Sequence, residues 1–260
     1  MKISQLKTFK QTGEKITCLT AYDASFTKIF ETCGVDTILV DDSLGNVIQG
    51  GENTLGVSME DMCYHTRCVA RSIGQALLIA DMPYQSYQTP EMALDNAAQL
   101  MDAGAQMVKF EGGSEHEAVF KILQENQIPV CGHLGLQPQS ILELGGYKVQ
   151  GRDADSAQRI LADAKALEDW GVEVLVLECV PADLAKTISQ SIGIPTIGIG
   201  AGRDCDGQVL VSYDMLGMSG EHMPKFVKNF LNESGSIKAA VNAFIQAVKQ
   251  QDFPSDEHSY

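Results

Sequence analysis

The sequence is poor in basic residues: 19 Lys and Arg stand against 34 Asp and Glu, which gives a net charge of -15. Binding to a nucleic-acid backbone depends on clustered Lys and Arg, so this balance argues against a nucleic-acid partner. No run approaches the roughly 18 apolar residues of a membrane span, and the N-terminal MKISQLKTFK lacks the apolar segment of a secretion signal. The sequence therefore predicts a cytoplasmic protein with no membrane partner.

Several chemical signatures are also missing. The seven cysteines are an odd number without a C-x-x-C pair, which indicates reduced thiols rather than a disulfide framework. The segment GIGAG (198–202) lacks both G-x-G-x-x-G spacing and a Lys-Ser/Thr ending, so it is predicted to be a close-packing turn. There is no G-x-S-x-G elbow, and the histidines at 65, 116, 222 and 258 show no ligand spacing.

What the sequence does contain is a series of short apolar runs. Eight of them are predicted to be strands, at 16–23, 36–43, 76–83, 107–113, 128–135, 174–181, 194–202 and 207–216. Between most of them lie helical patterns, such as Pro90 to Ala103, where Thr89 can cap the helix, and Asp155 to Trp170.

Continuous apolar strands that alternate with helices indicate a parallel sheet covered by helices. Eight such units favour a single α/β domain, a closed (β/α)8 TIM barrel over residues 1–260. Only four residues, 203–206, separate Gly202 from the eighth run, so the seventh crossover has no room for a full helix. The last residues, DFPSDEHSY, are predicted to form a short flexible tail.

Polar residues gather at the carboxyl ends of these runs, where parallel barrels place their catalytic groups. They are Asp23, Asp42, Ser43, Asp81, Lys109, Glu111, His133 and Glu178. Side chains two apart on a strand share a face, so Lys109 and Glu111 are predicted to point the same way. Asp81, His133 and Glu178 likewise share the faces of apolar residues two positions before them.

The carboxylates of Asp42, Asp81 and Glu111 are hard oxygen ligands of the kind that Mg2+ prefers. The alternative is that these acids cap the helices that follow their strands. Asp41 has the opposite parity to Asp42, so it is predicted to face the helical layer or to pair locally. His133 is predicted either to contact substrate or to be a satisfied structural histidine.

Ordered motifs over nearly the whole chain resemble the ketopantoate hydroxymethyltransferase family. The resemblance is carried by TAYD (20–23), DSLGN (42–46), YHT (64–66), ADMPY (80–84), NAAQLMDAGAQMVKFEGG (96–113), IPVCGHLGLQPQS (128–140), GGYKVQGR (145–152), LVLECVP (175–181), IPTIGIGAG (194–202) and HMPKFVKNF (222–230). It implies a (β/α)8 barrel that assembles into a homodecamer of two pentameric rings. It also implies synthesis of ketopantoate for pantothenate and coenzyme A.

The resemblance also implies roles for single residues. Asp42 and Asp81 would contact both Mg2+, one ion per subunit, and the substrate, and Glu111 would be a further acid of the metal site. Ser43 and Lys109 would bind the 2-oxo acid, and Glu178 would accept its proton to give a Mg2+-stabilised enolate. The co-substrate would be 5,10-methylenetetrahydrofolate, which donates a one-carbon unit to 3-methyl-2-oxobutanoate.

The sequence departs from the family pattern at Asp41, where Gly is usual, at Asn46, where Met is common, and in TLGVS (54–58). None of these changes removes a functional group. Two other interpretations remain open at this point: a Mg2+-dependent lyase or mutase of the phosphoenolpyruvate and pyruvate type, and a catalytically silent barrel that serves as a binding protein.

Overall fold

The computed structural model describes residues 1–220 and 223–260, except for the side chains of residues 143 and 144, so His222 lies outside the described residues. Eight parallel strands follow one another in chain order and close into a barrel. The strands are β1 (Ile16–Thr20), β2 (Thr37–Val40), β3 (Leu77–Asp81), β4 (Met107–Glu111), β5 (Val130–Gly135), β6 (Val174–Glu178), β7 (Thr196–Ile199) and β8 (Gly207–Leu210). The predicted (β/α)8 barrel is confirmed.

Helices connect the strands and cover the barrel. They are α1 (Ile3–Thr12), α2 (Ala24–Cys33), α3 (Leu44–Val47), α4 (Met59–Ala70), α5 (Pro90–Asp102), α6 (Glu117–Glu125), α7 (Ile141–Leu144), α8 (Ala154–Asp169), α9 (Ala182–Ser191), α10 (Ser212–Met215), α11 (Leu231–Ser234) and α12 (Ile237–Lys249), with 3₁₀ turns at Ser114–His116, Pro138–Ser140 and Asp256–His258. As predicted, Thr89 caps α5, since its Oγ1 accepts a hydrogen bond from Met92 N at 3.3 Å. Among the described helices, none has the length and apolar character to cross a membrane.

Alternation along the strands divides the core into two layers. Side chains on the inner face of the strands, such as Ile16, Leu77 and Val174, fill the barrel. Side chains on the outer face, such as Phe110, pack under the helices. The inner-face side chains form one cluster, the inner cluster, which also contains the fully buried Leu6 of α1. Because that cluster contains the first inward residues of several strands, α1 closes the amino-terminal end of the barrel.

The crossover between β7 and β8 has no helix among the described residues, as the short spacing predicts. Asp206 stabilises this connection instead. Its Oδ2 accepts hydrogen bonds from Thr196 N at 2.9 Å and Thr196 Oγ1 at 3.0 Å, and it lies 2.7 Å from Lys10 Nζ. These bonds join the loop before β8 to the start of β7 and to α1, so the barrel closes without a helix at this point.

Each of the eight strands is shorter than the apolar run that predicted it, as the runs 36–43 and 207–216 illustrate. The run 36–43 ends as a strand at Val40, and the run 207–216 ends at Leu210. Beyond Val40 the backbone forms a turn, in which Leu44 N donates to Asp41 O at 3.1 Å and Gly45 N to Asp42 O at 2.9 Å. The residues of the run 36–43 beyond Val40 are Asp41, Asp42 and Ser43, which are polar and lie in this turn rather than in the strand.

The last residues, DFPSDEHSY, are predicted to be flexible, whereas in the structure they pack against the barrel. Phe253 is 4% exposed, and its ring centroid lies 5.4 Å from that of Phe230. Tyr260 O accepts a hydrogen bond from Ala182 N at 2.9 Å, at the start of α9. The buried ring of Phe253, in an otherwise mostly polar segment, thus holds the last residues against the barrel.

Candidate active site

A cavity of about 780 Å³ opens at the carboxyl end of the barrel. Its lining includes Asp41, Asp42, Ser43, Lys109, Glu111, His133 and Glu178, above apolar residues such as Leu39, Val176 and Val209. Lys109 and Glu111 both line the cavity, and Phe110 between them packs in the outer core. The predicted strand parity and the convergence of these polar groups at one end are thus confirmed.

Lys109 is buried at the end of β4 and is held by two carboxylates. Its Nζ lies 2.5 Å from Asp81 Oδ2 and 3.5 Å from Asp41 Oδ2. Burial alone would lower the pKa of Lys109, but the charges of Asp81 and Asp41 outweigh burial and raise this pKa well above its ordinary value. Lys109 therefore stays charged, which explains how an apolar strand accommodates a lysine.

Three aspartates form a close group beside Lys109. Asp41, Asp42 and Asp81 each offer a carboxylate oxygen, and these oxygens lie within 4.8 Å of one another. Burial, reinforced by the charge of Asp41, raises the pKa of Asp42 to about 7. Burial also raises the pKa of Asp81 well above its ordinary value. Buried carboxylates so close together repel one another unless a proton or a cation joins them.

The donor atoms of this group fit a divalent cation. Carboxylate oxygens are the ligands that Mg2+ prefers. Oδ1 of Asp81 is buried and has no hydrogen-bond partner among the described residues. Burying an unpartnered carboxylate oxygen costs free energy unless a cation binds it. A cation would supply the missing partner and would keep the group ionised.

The prediction that Asp41 faces the helical layer is wrong, because Asp41 lines the cavity. Its local pairing is confirmed: Oδ1 accepts a hydrogen bond from Ser43 N at 2.9 Å. Burial would raise the pKa of Asp41, but Lys109 and Ser43 outweigh it and lower this pKa below its ordinary value. Asp41 departs from strand parity because β2 ends at Val40 and the alternation of side chains does not extend into a turn.

Glu111 lies beside the aspartates rather than within their close group. Its Oε2 accepts a hydrogen bond from Gln139 N at 3.0 Å, and its Oε1 lies 3.6 Å from His133 Nδ1. Burial, with the charge of Asp42 adding to it, raises the pKa of Glu111 well above its ordinary value. Glu111 thus contacts His133 and the loop after β5.

His133 stands between two glutamates. Its Nε2 lies 3.3 Å from Glu178 Oε2, and Nδ1 faces Glu111. Neither contact is a hydrogen bond, since both ring nitrogens lack a hydrogen-bond partner among the described residues. Burial lowers the pKa of His133, which favours the neutral ring. A neutral imidazole has one N–H to donate and one nitrogen that accepts.

Ser43 and Glu178 are positioned by their neighbours. Ser43 Oγ lies 2.8 Å from the hydroxyl of the buried Tyr22. Glu178 O accepts a hydrogen bond from Leu136 N at 2.8 Å, and a side chain at Gly135, where φ is +100°, would come within 2.2 Å of that oxygen. The backbone of Glu178 is therefore fixed by the close approach of the loop after β5.

Helix capping does explain one of the polar residues. Asp23 Oδ1 accepts hydrogen bonds from Ser25 N at 2.6 Å and Phe26 N at 3.0 Å, so Asp23 is the cap of α2. Asp42, Asp81, Glu111 and Glu178 provide no such cap to the described helices. For these four acids, the alternative of helix capping does not hold.

Sequence reasoning missed Gln139 as well as the position of Asp41. Gln139 is 3% exposed and contacts both Asp42 and Glu111. It lies in the turn Pro138–Ser140, where no periodic pattern marks a buried side chain. The one available signal was its place within the segment IPVCGHLGLQPQS.

Comparisons with known proteins agree with one another. A family model described as ketopantoate hydroxymethyltransferase matches residues 1–256. A protein named 3-methyl-2-oxobutanoate hydroxymethyltransferase from Ruthia magnifica subsp. Calyptogena magnifica is 68% identical over 260 residues, which cover 100% of both chains. One of the same name from Shewanella halifaxensis (strain HAW-EB4) is 57% identical over 257 residues, which cover 99% of this chain and 97% of that one.

Solved structures with low sequence identity share the fold. Phosphonopyruvate hydrolase superposes with a TM-score of 0.62 at 14% identity, over 81% of this chain and 80% of that one. 2,3-Dimethylmalate lyase, a member of the PEP mutase/isocitrate lyase superfamily, superposes with a TM-score of 0.60 at 16% identity, over 83% and 82% of the two chains. At such identities the likeness concerns the barrel alone.

Proposed function

The chain belongs to the ketopantoate hydroxymethyltransferase family and is a transferase; from this premise we propose that it transfers a hydroxymethyl group from 5,10-methylenetetrahydrofolate to 3-methyl-2-oxobutanoate. The observation that carries the proposal is the meeting of Asp42, Asp81, Lys109 and Glu178 in and around one buried cavity. The product is ketopantoate, for pantothenate and coenzyme A synthesis. Water supplies the new hydroxyl oxygen, and tetrahydrofolate leaves.

Asp42 and Asp81 would hold Mg2+, with Glu111 as a further acid at the edge of the site. Two observations support this assignment: the aspartate oxygens lie close together, and Oδ1 of Asp81 has no hydrogen-bond partner among the described residues. A divalent cation there would withdraw electrons from a chelating 2-oxo acid and make the hydrogen on C3 more acidic. Asp41 lies close enough to add negative charge to the same group, and Lys109 balances part of that charge.

Ser43 and Lys109 bind the carboxylate end of the 2-oxo acid. Lys109 Nζ is charged and buried, so its attraction for an anion is screened little by water. Its contact with Asp81 keeps it beside the acid group. Ser43 Oγ, which is held by the hydroxyl of Tyr22, offers a second polar group in the lining of the cavity.

Glu178 is the proton acceptor in this proposal. It lies at the carboxyl end of β6, lines the cavity and has His133 3.3 Å away. Glu178 removes the proton from C3 of the substrate, and the resulting enolate carbon attacks the one-carbon unit. His133, as a neutral imidazole with two unsatisfied nitrogens, is placed to contact the substrate or to orient Glu178.

The size of the cavity supports a second, larger ligand. A volume of about 780 Å³ lies in the range of cofactor-sized pockets and exceeds what a five-carbon acid fills. Tyr147, Phe226 and Tyr260 line it with aromatic surface, which suits the flat pterin of a folate. These three aromatic residues would therefore hold the folate, which would supply the one-carbon unit.

A single assay tests the proposal. The protein is incubated with 3-methyl-2-oxobutanoate and 5,10-methylenetetrahydrofolate, with and without Mg2+, and ketopantoate is measured. We expect product only when folate donor and divalent cation are both present. Cleavage of a larger 2-oxo acid without folate would favour the lyase interpretation. Lack of any turnover would favour a barrel without catalytic activity that serves as a binding protein.

The proposal extends to assembly and location. By family resemblance, the chain forms a homodecamer of two pentameric rings and works in the cytoplasm, without a nucleic-acid or membrane partner. Seven free cysteines agree with a reducing compartment. Light scattering of the purified protein tests the assembly, since a stable monomer would contradict it.

A further inference from the structure

Gln139 uses both ends of its side-chain amide beside the group of aspartates. It lies in the 3₁₀ turn after β5 and is 3% exposed. Its Nε2 donates hydrogen bonds to Asp42 Oδ2 at 2.9 Å and to Met82 O at 3.0 Å. Its Oε1 accepts a hydrogen bond from Tyr87 OH at 2.6 Å. Both amide hydrogens and the amide oxygen are therefore engaged.

These partners allow only one orientation of the amide. An ionised Asp42 and the Met82 carbonyl are acceptors, so both require the NH2 end. Tyr87 supplies the hydroxyl donor that the oxygen end requires. A flipped amide would place its oxygen against two other acceptors in a buried site, which is strongly unfavourable.

The backbone of Gln139 reaches a further acid. Its N–H donates to Glu111 Oε2 at 3.0 Å, while the side chain holds Asp42. Asp42 follows β2, Met82 follows β3 and Glu111 ends β4. One buried residue on the loop after β5 thus ties together the carboxyl ends of three other strands.

We propose that Gln139 is a positioning residue, which holds Oδ2 of Asp42 so that the other carboxylate oxygen is presented to the cation and substrate. The hydrogen bond from Gln139 engages Oδ2 of Asp42, and the buried Thr54 is a second side chain beside this carboxyl group. The inference rests on the proposed function, because it assumes that Asp42 binds the metal. Residues that orient metal ligands commonly change metal affinity by about 10–100-fold when they are replaced.

The first test is Gln139→Met, which keeps the size and the backbone N–H but removes the amide. Mn2+ binding to the protein without substrate is measured by calorimetry or electron paramagnetic resonance, and the unfolding midpoint shows that the variant is folded. We expect the Mn2+ dissociation constant to rise about 10–100-fold. The matched control is Gln137→Met, the same change at a partly exposed position of the same loop, with unchanged Mn2+ binding expected.

Gln139→Glu separates positioning from simple charge. An added carboxylate near a cation site would tighten Mn2+ binding if nearby negative charge were all that mattered. The positioning role predicts weaker binding, because a carboxylate has no N–H groups for Asp42 and Met82. Tighter binding by this variant would overturn the proposal.

Tyr87→Phe covers the case in which Gln139→Met does not fold. It leaves the amide in place and removes only the hydroxyl that donates to the amide oxygen, so we expect a smaller loss of Mn2+ affinity than in Gln139→Met. Wild-type affinity in a folded Gln139→Met, or in Tyr87→Phe where Gln139→Met is unfolded, would overturn the role of Gln139. Absence of Mn2+ binding by the wild-type chain would instead overturn the proposed metal site, and this role with it.

Discussion

The two ends of the barrel are built from the same eight strands but from opposite kinds of side chain. At the amino-terminal end, Leu6 and the first inward residues of the strands form a buried apolar cluster that α1 closes. At the carboxyl end, Asp42, Asp81 and Lys109 are just as deeply buried. A buried leucine stabilises the fold, whereas a buried carboxylate lowers stability unless it is paired or bound. The comparison indicates that one end maintains the fold and the other carries the chemistry.

The largest difference in activity between the two ends of the barrel is expected from substitutions at the two ends of β6. Glu178→Gln removes the proton acceptor and should slow exchange of the C3 hydrogen of 3-methyl-2-oxobutanoate by about 10²–10⁴-fold, with substrate binding retained. The matched control is Glu173→Gln, the same change just before the other end of β6, where Glu173 contacts Lys7 at 2.6 Å. We expect normal exchange in the control, measured by NMR in deuterated water. Normal exchange in Glu178→Gln would exclude Glu178 as the base.

The next effect concerns stability at the amino-terminal end. Leu6→Ala opens a cavity in the inner cluster and should lower the free energy of unfolding by about 2–5 kcal/mol. The KM for the 2-oxo acid should remain that of the wild type, because Leu6 lies at the far end of the barrel from the cavity. Urea unfolding and steady-state kinetics measure the two quantities. A changed KM at unchanged stability would contradict the division between the ends.

A divalent cation should stabilise the carboxyl end in a pH-dependent way. The pKa of Asp42 is raised to about 7 by burial, so its contribution to stability is present at low pH and is lost as the pH rises through about 7. Bound Mg2+ should offset this loss of stability above about pH 7. Below about pH 7, Mg2+ has to compete with protons for the carboxylate of Asp42. At about 100 times its dissociation constant, Mg2+ should add about 2.7 kcal/mol near pH 8 and less near pH 5.

Thermal unfolding with Mg2+ or a chelator, at both pH values, measures this difference. Asp42→Asn is the control, since it removes the titrating carboxylate and should reduce the pH dependence of the Mg2+ effect. Equal stabilisation by Mg2+ at both pH values in the wild type would indicate a binding site away from Asp42.

The smallest effect is expected from an ion pair at the amino-terminal end. Lys7 and Glu173 contact each other at 2.6 Å, but their side chains are 44% and 31% exposed. Lys7→Met should therefore change the unfolding free energy by less than about 1 kcal/mol, and high salt should reduce the difference further. A loss of several kcal/mol would show that α1 depends on this pair rather than on Leu6.

The sequence was sufficient to predict the barrel and six of the polar residues that line its cavity, namely Asp42, Ser43, Lys109, Glu111, His133 and Glu178. Continuous apolar runs predicted all eight strands, and period-two alternation placed Lys109, Glu111, His133 and Glu178 on the inner face. The argument succeeded there because each of these residues lies within a strand, where backbone geometry fixes the direction of the side chain.

The remaining features lie where the backbone is irregular. Asp41 is in a turn past the end of β2, and Gln139 reaches Asp42 across 97 positions of sequence. Neither contact follows from a local pattern, because loops are placed by long-range packing. The packing of the C-terminal segment also could not be predicted: Phe253 finds its partners in α12 and in Phe230, and the polar composition around it gave no sign of them.

The central claim is that acids from separate strands hold a divalent cation at the carboxyl end of the barrel. Anomalous diffraction from crystals grown with Mn2+ tests it most directly. The account predicts one strong peak in contact with the carboxylates of Asp42 and Asp81, inside the cavity that Glu178 lines. Strong peaks at other acidic residues, with none in this cavity, would contradict it.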